Sequence, residues 1–147
     1  MHKVCAVIVR RTPRGPQVLV FRHPLAGIQL AKGTRLQGES PWAGARRELF
    51  EESGVTVRAT PTARLGPMRM PGGTLWHIFA AAPRSTLPDR WDHWVEDDGG
   101  HLFSFHWHPL TAPPPASMGS PSRRVLRRIN RSQVRIAQST AVSPHPT

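Results

Sequence analysis

The segment from Gly33 to Val55 constrains this chain more than any other part of it, because it crowds three glutamates onto one predicted helical face. Glu48, Glu51 and Glu52 stand at relative positions i, i+3 and i+4, which share one side of an α-helix. Like charges at this spacing repel one another and destabilise the helix. A multivalent cation removes that repulsion, so the segment predicts a metal site.

The residues around this cluster predict where the helix begins and ends. Ser40 is a favourable N-cap, and Pro41 suits the first helical position. The helix is then expected over Trp42–Ser53 and ends at Gly54, a residue type that readily adopts the left-handed conformation after a helix. An apolar stripe beside the acidic face predicts that the helix packs on a sheet.

Apolar and β-branched runs predict strands on both sides of this helix. The predicted strands are Lys3–Val9, Gln17–Phe21, Val55–Arg58, Thr60–Leu65, Leu75–Ala81 and Leu102–Trp107. The segment 83–100 contains turn residues and is expected to be a long loop. Strands with one helix among them and another at the end predict an α/β (α+β) fold, in which a mixed, partly antiparallel sheet lies between helices.

The length of 147 residues indicates one domain with a short extension. Residues 1–110 hold the predicted sheet and the acidic helix. Residues 111–136 combine a linker rich in proline and serine with a basic helix, expected over Ser122–Ile136. Residues 137–147 are expected to form a frayed, disordered tail.

The basic helix carries much of the excess positive charge. The net charge is +11, from 20 Lys and Arg against 9 acids, and six arginines fall between Arg123 and Arg135. This favours an anionic partner, such as a phosphate-bearing metabolite or nucleic acid. Val125, Leu126 and Ile129 are expected on the inner side of the helix. We interpret its outer side as a solvated surface of arginines without a role in substrate binding.

The single cysteine, Cys5, excludes an internal disulfide and suits a reducing cytosol, so a cytoplasmic location is expected. No stretch approaches the roughly 18 apolar residues that span a bilayer, and no membrane partner is expected. Abundant arginine, alanine, proline and glycine with few lysines are typical of a high-GC bacterial genome.

Residues 33–55 match the pattern G-x5-E-x7-R-E-U-x-E-E-x-G-U, in which U is an aliphatic residue, at every position. The chain therefore resembles the Nudix hydrolase family, whose defining box this is. The resemblance implies an α/β/α sandwich and the Mg²⁺- or Mn²⁺-dependent hydrolysis of a diphosphate bond in a nucleoside diphosphate linked to another moiety, X. The metal ions are expected to neutralise the diphosphate and to activate the attacking water.

The chemistry of the box residues gives each of them a predicted role. Mg²⁺ and Mn²⁺ prefer oxygen ligands, and Glu48 and Glu52, one helical turn apart, can converge on one ion or bridge two. Glu51, on the other flank of the same face, is a further predicted metal ligand, and Arg47 one turn earlier can orient its carboxylate. Glu39, in the loop ahead of the helix, can fold back towards the same ions. Glu48 or Glu51 is the expected base for the proton of the water, and Arg47 completes the catalytic group.

The resemblance adds ligands outside the helix. In the family, the carbonyl that precedes the box glycine binds metal, which here is the backbone carbonyl of Lys32 before Gly33. Nudix enzymes often carry an extra carboxylate in a loop ahead of the last strand. Asp97 or Asp98 is the candidate there, and a solvated turn is the equal alternative.

Cationic and aromatic residues are the candidates for contact with the substrate. Lys32, Arg35 and Arg22 are placed to steady the charge of the transition state. Trp91 and Trp94 fall in the predicted loop, where they either stack on a base or anchor the loop.

The substrate is not fixed by the sequence. The lead-in QLAKG is similar to that of dinucleoside polyphosphate and diphosphoinositol polyphosphate hydrolases, whereas Pro71 stands where ADP-ribose pyrophosphatases carry a proline. A nucleotide sugar fits the same chemistry. Two other functions stay open, a non-catalytic Nudix-fold nucleotide sensor and a nucleic-acid-binding module built on the arginine-rich tail. The retained box glutamates favour the enzyme, and both a monomer and a homodimer are compatible with the sequence.

Overall fold

The computed structural model describes residues 1–142, apart from the side chains of Asp98 and of residues 133–142. Its strands are β1 (His2–Val7), β2 (Val9–Thr12), β3 (Gly15–His23), β4 (Gly27–Gln29), β5 (Lys32–Thr34), β6 (Ala63–Arg64), β7 (Met68–Arg69), β8 (Leu75–Ala80), β9 (Trp91–Val95) and β10 (His101–Pro109). Its α-helices are α1 (Pro41–Ser53) and α2 (Ser120–Val142), and a short 3₁₀ turn spans Asp97–Gly99.

Helix α1 begins and ends where the sequence predicts. Ser40 has an extended backbone, and its hydroxyl accepts a hydrogen bond from the backbone N–H of Ala43 at 3.2 Å. Gly54 adopts the left-handed conformation with φ 76°, and its N–H donates to the carbonyl of Phe50. Because both ends are capped, the helix holds its side chains in a defined register.

The strands form two five-stranded sheets. Sheet A has the order β5–β1–β8–β6, with β7 also paired to β8, and sheet B has the order β2–β3–β10–β9, with β4 paired to β3. Strands β1 and β8 run parallel, whereas the other named pairs of described strands are antiparallel. The predicted α+β class with a mixed sheet is confirmed, and the strands divide between two sheets.

Alternation along the strands divides the core into two apolar layers. In β1, Val4 and Ala6 join a buried cluster with Leu49 of α1, whereas Cys5 and Val7 join a second buried cluster with α2. The contribution of α2 to that second cluster is Val125, Leu126 and Ile129, as predicted. The sheets therefore lie between the two helices.

Some predicted elements differ from the structure. The segment 83–100 is not a loop throughout, because Trp91–Val95 forms β9 and pairs with β10. The predicted strand Val55–Arg58 contributes only an isolated bridge, and the predicted strand Thr60–Leu65 shortens to β6. Strands β6 and β9 end their sheets, and an edge strand has hydrogen-bond partners on one side only, so pairing rather than local composition sets its limits.

Helix α2 is longer than the predicted segment Ser122–Ile136. It starts at Ser120 and continues to Val142, into the segment for which the sequence predicts a frayed tail. Residues 143–147 lie outside the described part, and the division of the chain at residue 110 stays a prediction. Within the described residues, no helix is both long enough and apolar enough to cross a membrane.

Candidate metal and catalytic site

The guanidinium of Arg47 connects the carboxylates of the box. Its Nε donates to Glu39 Oε2 at 2.7 Å, and its Nη2 donates to Glu39 Oε1 at 3.1 Å. Its Nη1 donates to Glu48 at 2.9 Å and to Glu51 at 3.2 Å. A planar guanidinium suits this arrangement because it presents five donors in fixed directions. One cation therefore positions three carboxylates, and the predicted pair of Arg47 with Glu51 is among these contacts.

Glu39 reaches back to α1 from the preceding loop, where its main partner is Arg47. Its Oε1 also accepts a hydrogen bond from the N–H of Leu36 at 3.0 Å, and Nη2 of Arg47 donates to the carbonyl of Thr34 at 3.1 Å. The hydrogen bonds between Arg47 and Glu39 lower the pKa of Glu39 and raise the pKa of Arg47. This ionised pair ties the loop of the box to its helix.

Two glycines make room for the carboxylates. A Cβ atom at Gly33, which lies in β5, would overlap the carboxylate of Glu48, so this glycine admits Glu48 to the cluster. At Gly44, inside α1, a Cβ atom would lie 2.6 Å from Oε1 of Glu39. The sequence analysis does not assign a role to Gly44. A glycine inside a predicted helix costs roughly 1 kcal/mol relative to alanine, so its presence there indicates a functional or packing requirement.

Glu52 is buried, with 8% of its surface exposed, beside the backbone of Lys32. Its Oε1 accepts a hydrogen bond from the Lys32 N–H at 3.2 Å. Burial raises the pKa of Glu52 to about 8, in spite of the nearby positive charge of Lys32. Burial also raises the pKa of Glu48, against the hydrogen bond from Arg47. Negative charge at these two positions is therefore costly without a further cation.

The donor set fits a hard divalent cation. Among the described residues, no group of three His, Cys, Asp or Glu side chains is spaced to enclose a metal ion as the side chains stand, and Arg47 occupies oxygens of Glu39, Glu48 and Glu51. Yet burial raises the pKa of Glu48 and of Glu52 in spite of the nearby Arg47 and Lys32, and a divalent ion would supply the further positive charge. Oxygen ligands of this kind are those that Mg²⁺ and Mn²⁺ prefer.

Two of the predicted substrate-binding cations lie near the cluster. The positive charge of Lys32 partly offsets the rise that burial causes in the pKa of Glu52, and that of Arg35 adds to the lowering of the pKa of Glu39 that its hydrogen bonds with Arg47 cause. The amine of Lys32 donates to the side chain of Gln29 at 2.9 Å. Both cations are thus within electrostatic reach of the carboxylates, and their role in binding the substrate stays a prediction.

The structure does not bring Arg22 to the carboxylates. Phe21, the residue before it in β3, belongs to the buried cluster on the α1 side, and successive side chains of a strand point to opposite faces. Arg22 therefore lies on the other face of sheet B. There it lines a separate polar pocket of about 360 Å³, whose lining includes Arg90, Asp92, Ser104 and His106.

Trp91 anchors β9 instead of projecting from a loop. Its ring stacks on Phe105 with the centroids 5.1 Å apart, and its Nε1 donates to the carbonyl of Ser53 at 3.0 Å. One ring face and the indole N–H are thus used to fix β9 against the end of α1. Trp94, on the same strand, packs over Gly100 and is 54% exposed.

Strand β9 and the turn after it approach the acidic cluster. Burial is the main cause of the raised pKa of Glu48 and of Glu52, and the charge of Asp97 adds a smaller rise to both, so this carboxylate is within electrostatic reach of the cluster. The other candidate, the side chain of Asp98, lies outside the described residues. His93, which the sequence does not single out, packs its ring against Gly54 at the end of α1.

Comparison with known proteins agrees with this architecture. The family model of the NUDIX domain matches residues 1–129. No curated protein matches the chain in sequence.

Two solved structures illustrate the likeness in fold. A NUDIX hydrolase from Nitrosomonas europaea has a TM-score of 0.65 and 19% sequence identity, covering 90% of this chain and 89% of that chain. The NUDIX domain of Shewanella oneidensis NrtR, in complex with ADP ribose, has a TM-score of 0.60 and 16% identity, covering 90% and 87%. With the family match over most of the chain and the complete box over residues 33–55, the chain belongs to the Nudix family.

Proposed function

We propose that this chain is a cytosolic, divalent-metal-dependent Nudix hydrolase that cleaves a diphosphate bond in a nucleoside diphosphate linked to another moiety, X. The observation that supports this most is the intact acidic cluster. In it, one arginine positions three glutamates, while a fourth glutamate is buried against the loop of the box.

The residues of the cluster have separate tasks in this proposal. When bound, Mg²⁺ or Mn²⁺ neutralises the diphosphate and makes phosphorus easier to attack. Glu48 and Glu52, with the carbonyl of Lys32, hold the ion, and Glu39 and Asp97 or Asp98 add negative charge around it. Glu48, or Glu51 with half of its side chain exposed, takes the proton of the attacking water.

Arg47 keeps the carboxylates in place through this chemistry. Its contacts hold Glu39, Glu48 and Glu51 in one orientation, so that little reorganisation is required when the substrate binds. Lys32 and Arg35 interact with the phosphates and with the negative charge that develops during attack.

The proposed substrates are a dinucleoside polyphosphate, ADP-ribose or a nucleotide sugar. The proposal is tested by following product release from a panel of these compounds with Mg²⁺, with Mn²⁺ and with a chelator. Activity is expected only with a metal ion. Glu52→Gln is expected to lower kcat by about 100-fold or more, because it removes a carboxylate of the metal and acid–base machinery.

A matched control is Asp89→Asn, which neutralises an exposed carboxylate paired with Arg10 at the surface. This variant is expected to hydrolyse the substrate at the wild-type rate. Full activity in the presence of the chelator, or a Glu52→Gln variant as active as wild type, would overturn the assignment of the site.

A second candidate function is nucleotide sensing without cleavage. The observation that favours it is the likeness to the NUDIX domain of NrtR, which was solved in complex with ADP ribose. Thermal stabilisation of the chain by ADP-ribose with no product after prolonged incubation with Mg²⁺ and Mn²⁺ would support the sensor. Turnover of any compound of the panel would favour the hydrolase.

A further inference from the structure

Helix α2 carries arginines that the acidic cluster does not use, and among its described side chains Arg123 and Arg128 have structural partners. Arg123 donates from its Nε to the carbonyl of Met118 at 2.7 Å, and Arg128 donates to the carbonyl of Leu65 at 3.1 Å. These two side chains fix the linker and α2 to the rest of the fold. The other arginines of the helix require a different explanation.

Arg124, Arg127 and Arg131 form a row on the outer surface of α2, which we call the arginine row. Their positions i, i+3 and i+7 fall within an arc of about 60° around the helix. All three residues are exposed, and none makes an ion pair or a hydrogen bond with another described residue. Because α2 contains no Asp or Glu, their mutual repulsion is not relieved within the helix.

A pocket of about 410 Å³ lies along the arginine row. It is lined by the three arginines of the row together with Met68 of β7 and Asn130 of α2. Met68 offers a polarisable apolar contact, a guanidinium plane can stack on a base, and an amide can donate and accept hydrogen bonds at a base edge. The pocket thus adds contacts for a base to a row of phosphate-binding cations.

We propose that the arginine row and its pocket bind single-stranded nucleic acid, RNA or DNA, with phosphates along the row and a base in the pocket. Guanidinium groups bind phosphate oxygens through paired N–H donors, and unstacked bases supply flat surfaces for the pocket. The surface lies on the far side of the sheets from α1, as the two buried clusters show. It is therefore separate from the acidic cluster and independent of the proposed hydrolysis.

The packing of α2 argues against a membrane as the partner. A helix that lies on a bilayer inserts its apolar face between the lipids. In α2 the apolar residues Val125, Leu126 and Ile129 are buried in the core of this chain. The exposed side chains that α2 offers to a partner along the arginine row, those of Arg124, Arg127, Asn130 and Arg131, are charged or polar.

The test measures the affinity of the full chain for a fluorescent oligouridine and oligothymidine by polarisation, over a series of salt concentrations. The variant Arg124→Gln/Arg127→Gln/Arg131→Gln is compared with Arg14→Gln/Arg58→Gln/Arg90→Gln, which removes the same charge from exposed positions elsewhere. We expect the first variant to lose about 10- to 100-fold in affinity at low salt, and the control to lose about threefold or less. The slope of log affinity against log salt should fall by about 2 in the first variant, since each strand phosphate contributes about 0.7.

A second variant, Asn130→Ala, tests the base pocket without a change in charge. It is expected to weaken binding of the oligonucleotides about threefold or more and to leave binding of inorganic polyphosphate unchanged. Equal losses in the two triple variants, no binding of either oligonucleotide at low salt, or capture by anionic vesicles in preference to oligonucleotides would overturn the proposal. Circular dichroism of every variant establishes that α2 is retained.

Discussion

Helices α1 and α2 cover opposite faces of the sheets. Each brings side chains of like charge close together, glutamates in α1 and arginines in α2. In α1, Arg47 is the internal counter-ion of the carboxylates, and its ion pairs with Glu39 and Glu48 involve side chains no more than 25% exposed. In α2 the sequence supplies no acid, and the arginine row points to solvent. The same local repulsion is thus relieved by an ion-pair partner in α1, whereas the described arginines of the row in α2 have no such partner among the described residues.

The difference in burial decides what each charge cluster can do. Interactions between partly buried charges are strong and weakly screened, so the α1 cluster can fix the geometry of a reaction. Interactions between exposed charges are worth roughly 1 kcal/mol or less and fall with salt. We therefore expect large, specific effects from substitutions in α1 and small, salt-dependent effects on stability from those in α2.

Arg47→Gln is expected to have the largest effect on stability. It leaves Glu39 and Glu48 without their cation, and breaking one side of a buried pair costs about 3–5 kcal/mol, so roughly 2–4 kcal/mol is expected for this partly buried group. The free energy of unfolding in urea measures the loss. Asp89→Asn, at an exposed ion pair, should cost less than about 1 kcal/mol. Equal costs for the two substitutions would contradict the contrast between buried and exposed charge.

Gly33→Ala is expected to lower hydrolytic activity by about 10- to 100-fold, the usual effect of disturbing the support of a metal site. The new methyl group would overlap the carboxylate of Glu48, so Glu48 has to leave its position. Gly119→Ala is the matched control, because its Cβ meets no atom within 4 Å and it precedes α2 instead of α1. Steady-state kinetics with Mg²⁺ compare the two variants, and an unaffected Gly33→Ala enzyme would show that Glu48 is not required where it lies.

The contribution of Glu52 to the stability of the metal-free protein is expected to fall as the pH rises from about 4.5 to about 8. Glu52 has its pKa raised by burial to about 8 in the folded state, so folding binds a proton that the unfolded chain releases near 4.5. The stabilisation that this proton provides is fully present below the pKa of Glu52 in the unfolded chain, near 4.5. It is lost as the pH rises through the pKa of Glu52 in the folded state, about 8. The contribution of Glu52 should lower the Tm by a few degrees over this range. The raised pKa of Glu48 should change the Tm in the same direction.

Glu52→Gln separates the contribution of this residue. The variant should lack its share of the pH dependence, and at pH 8 without metal it should be more stable than wild type, because no charge is buried. Added Mg²⁺ should stabilise the wild type more than the variant. A variant with the pH profile of the wild type would mean that Glu52 does not carry the buried charge.

The parts of this site that depend on local sequence could be predicted, and the parts that depend on pairing could not. The cap at Ser40, the end at Gly54 and the shared face of Glu48 and Glu52 all follow from spacing within one helix. The double hydrogen bond of Arg47 to Glu39 joins the helix to a loop, and no periodicity encodes its geometry.

Sheet pairing explains the remaining differences. The sequence WDHWV reads as a loop because acidic, glycine and proline residues surround it, yet pairing with β10 makes it a strand and turns Trp91 onto Phe105. Arg22 comes directly after the predicted strand Gln17–Phe21. Only its position in β3 of sheet B shows that its side chain lies on the face opposite the α1 cluster. A one-residue shift of a strand reverses the face of every side chain, so sequence alone does not decide which cations reach the site.

The smallest expected effect concerns the repulsion within the arginine row. Arg127→Gln removes one of its charges and should stabilise the chain by about 0.2–0.5 kcal/mol at roughly 0.01 M salt, with no difference at about 1 M. Urea unfolding at the two salt concentrations measures this, with Arg14→Gln, at an exposed position outside α2, as the control. Destabilisation by Arg127→Gln at low salt would mean that this arginine has a partner within the fold. Its charge would then resemble the internally compensated charge of α1, and the contrast between the helices would fail.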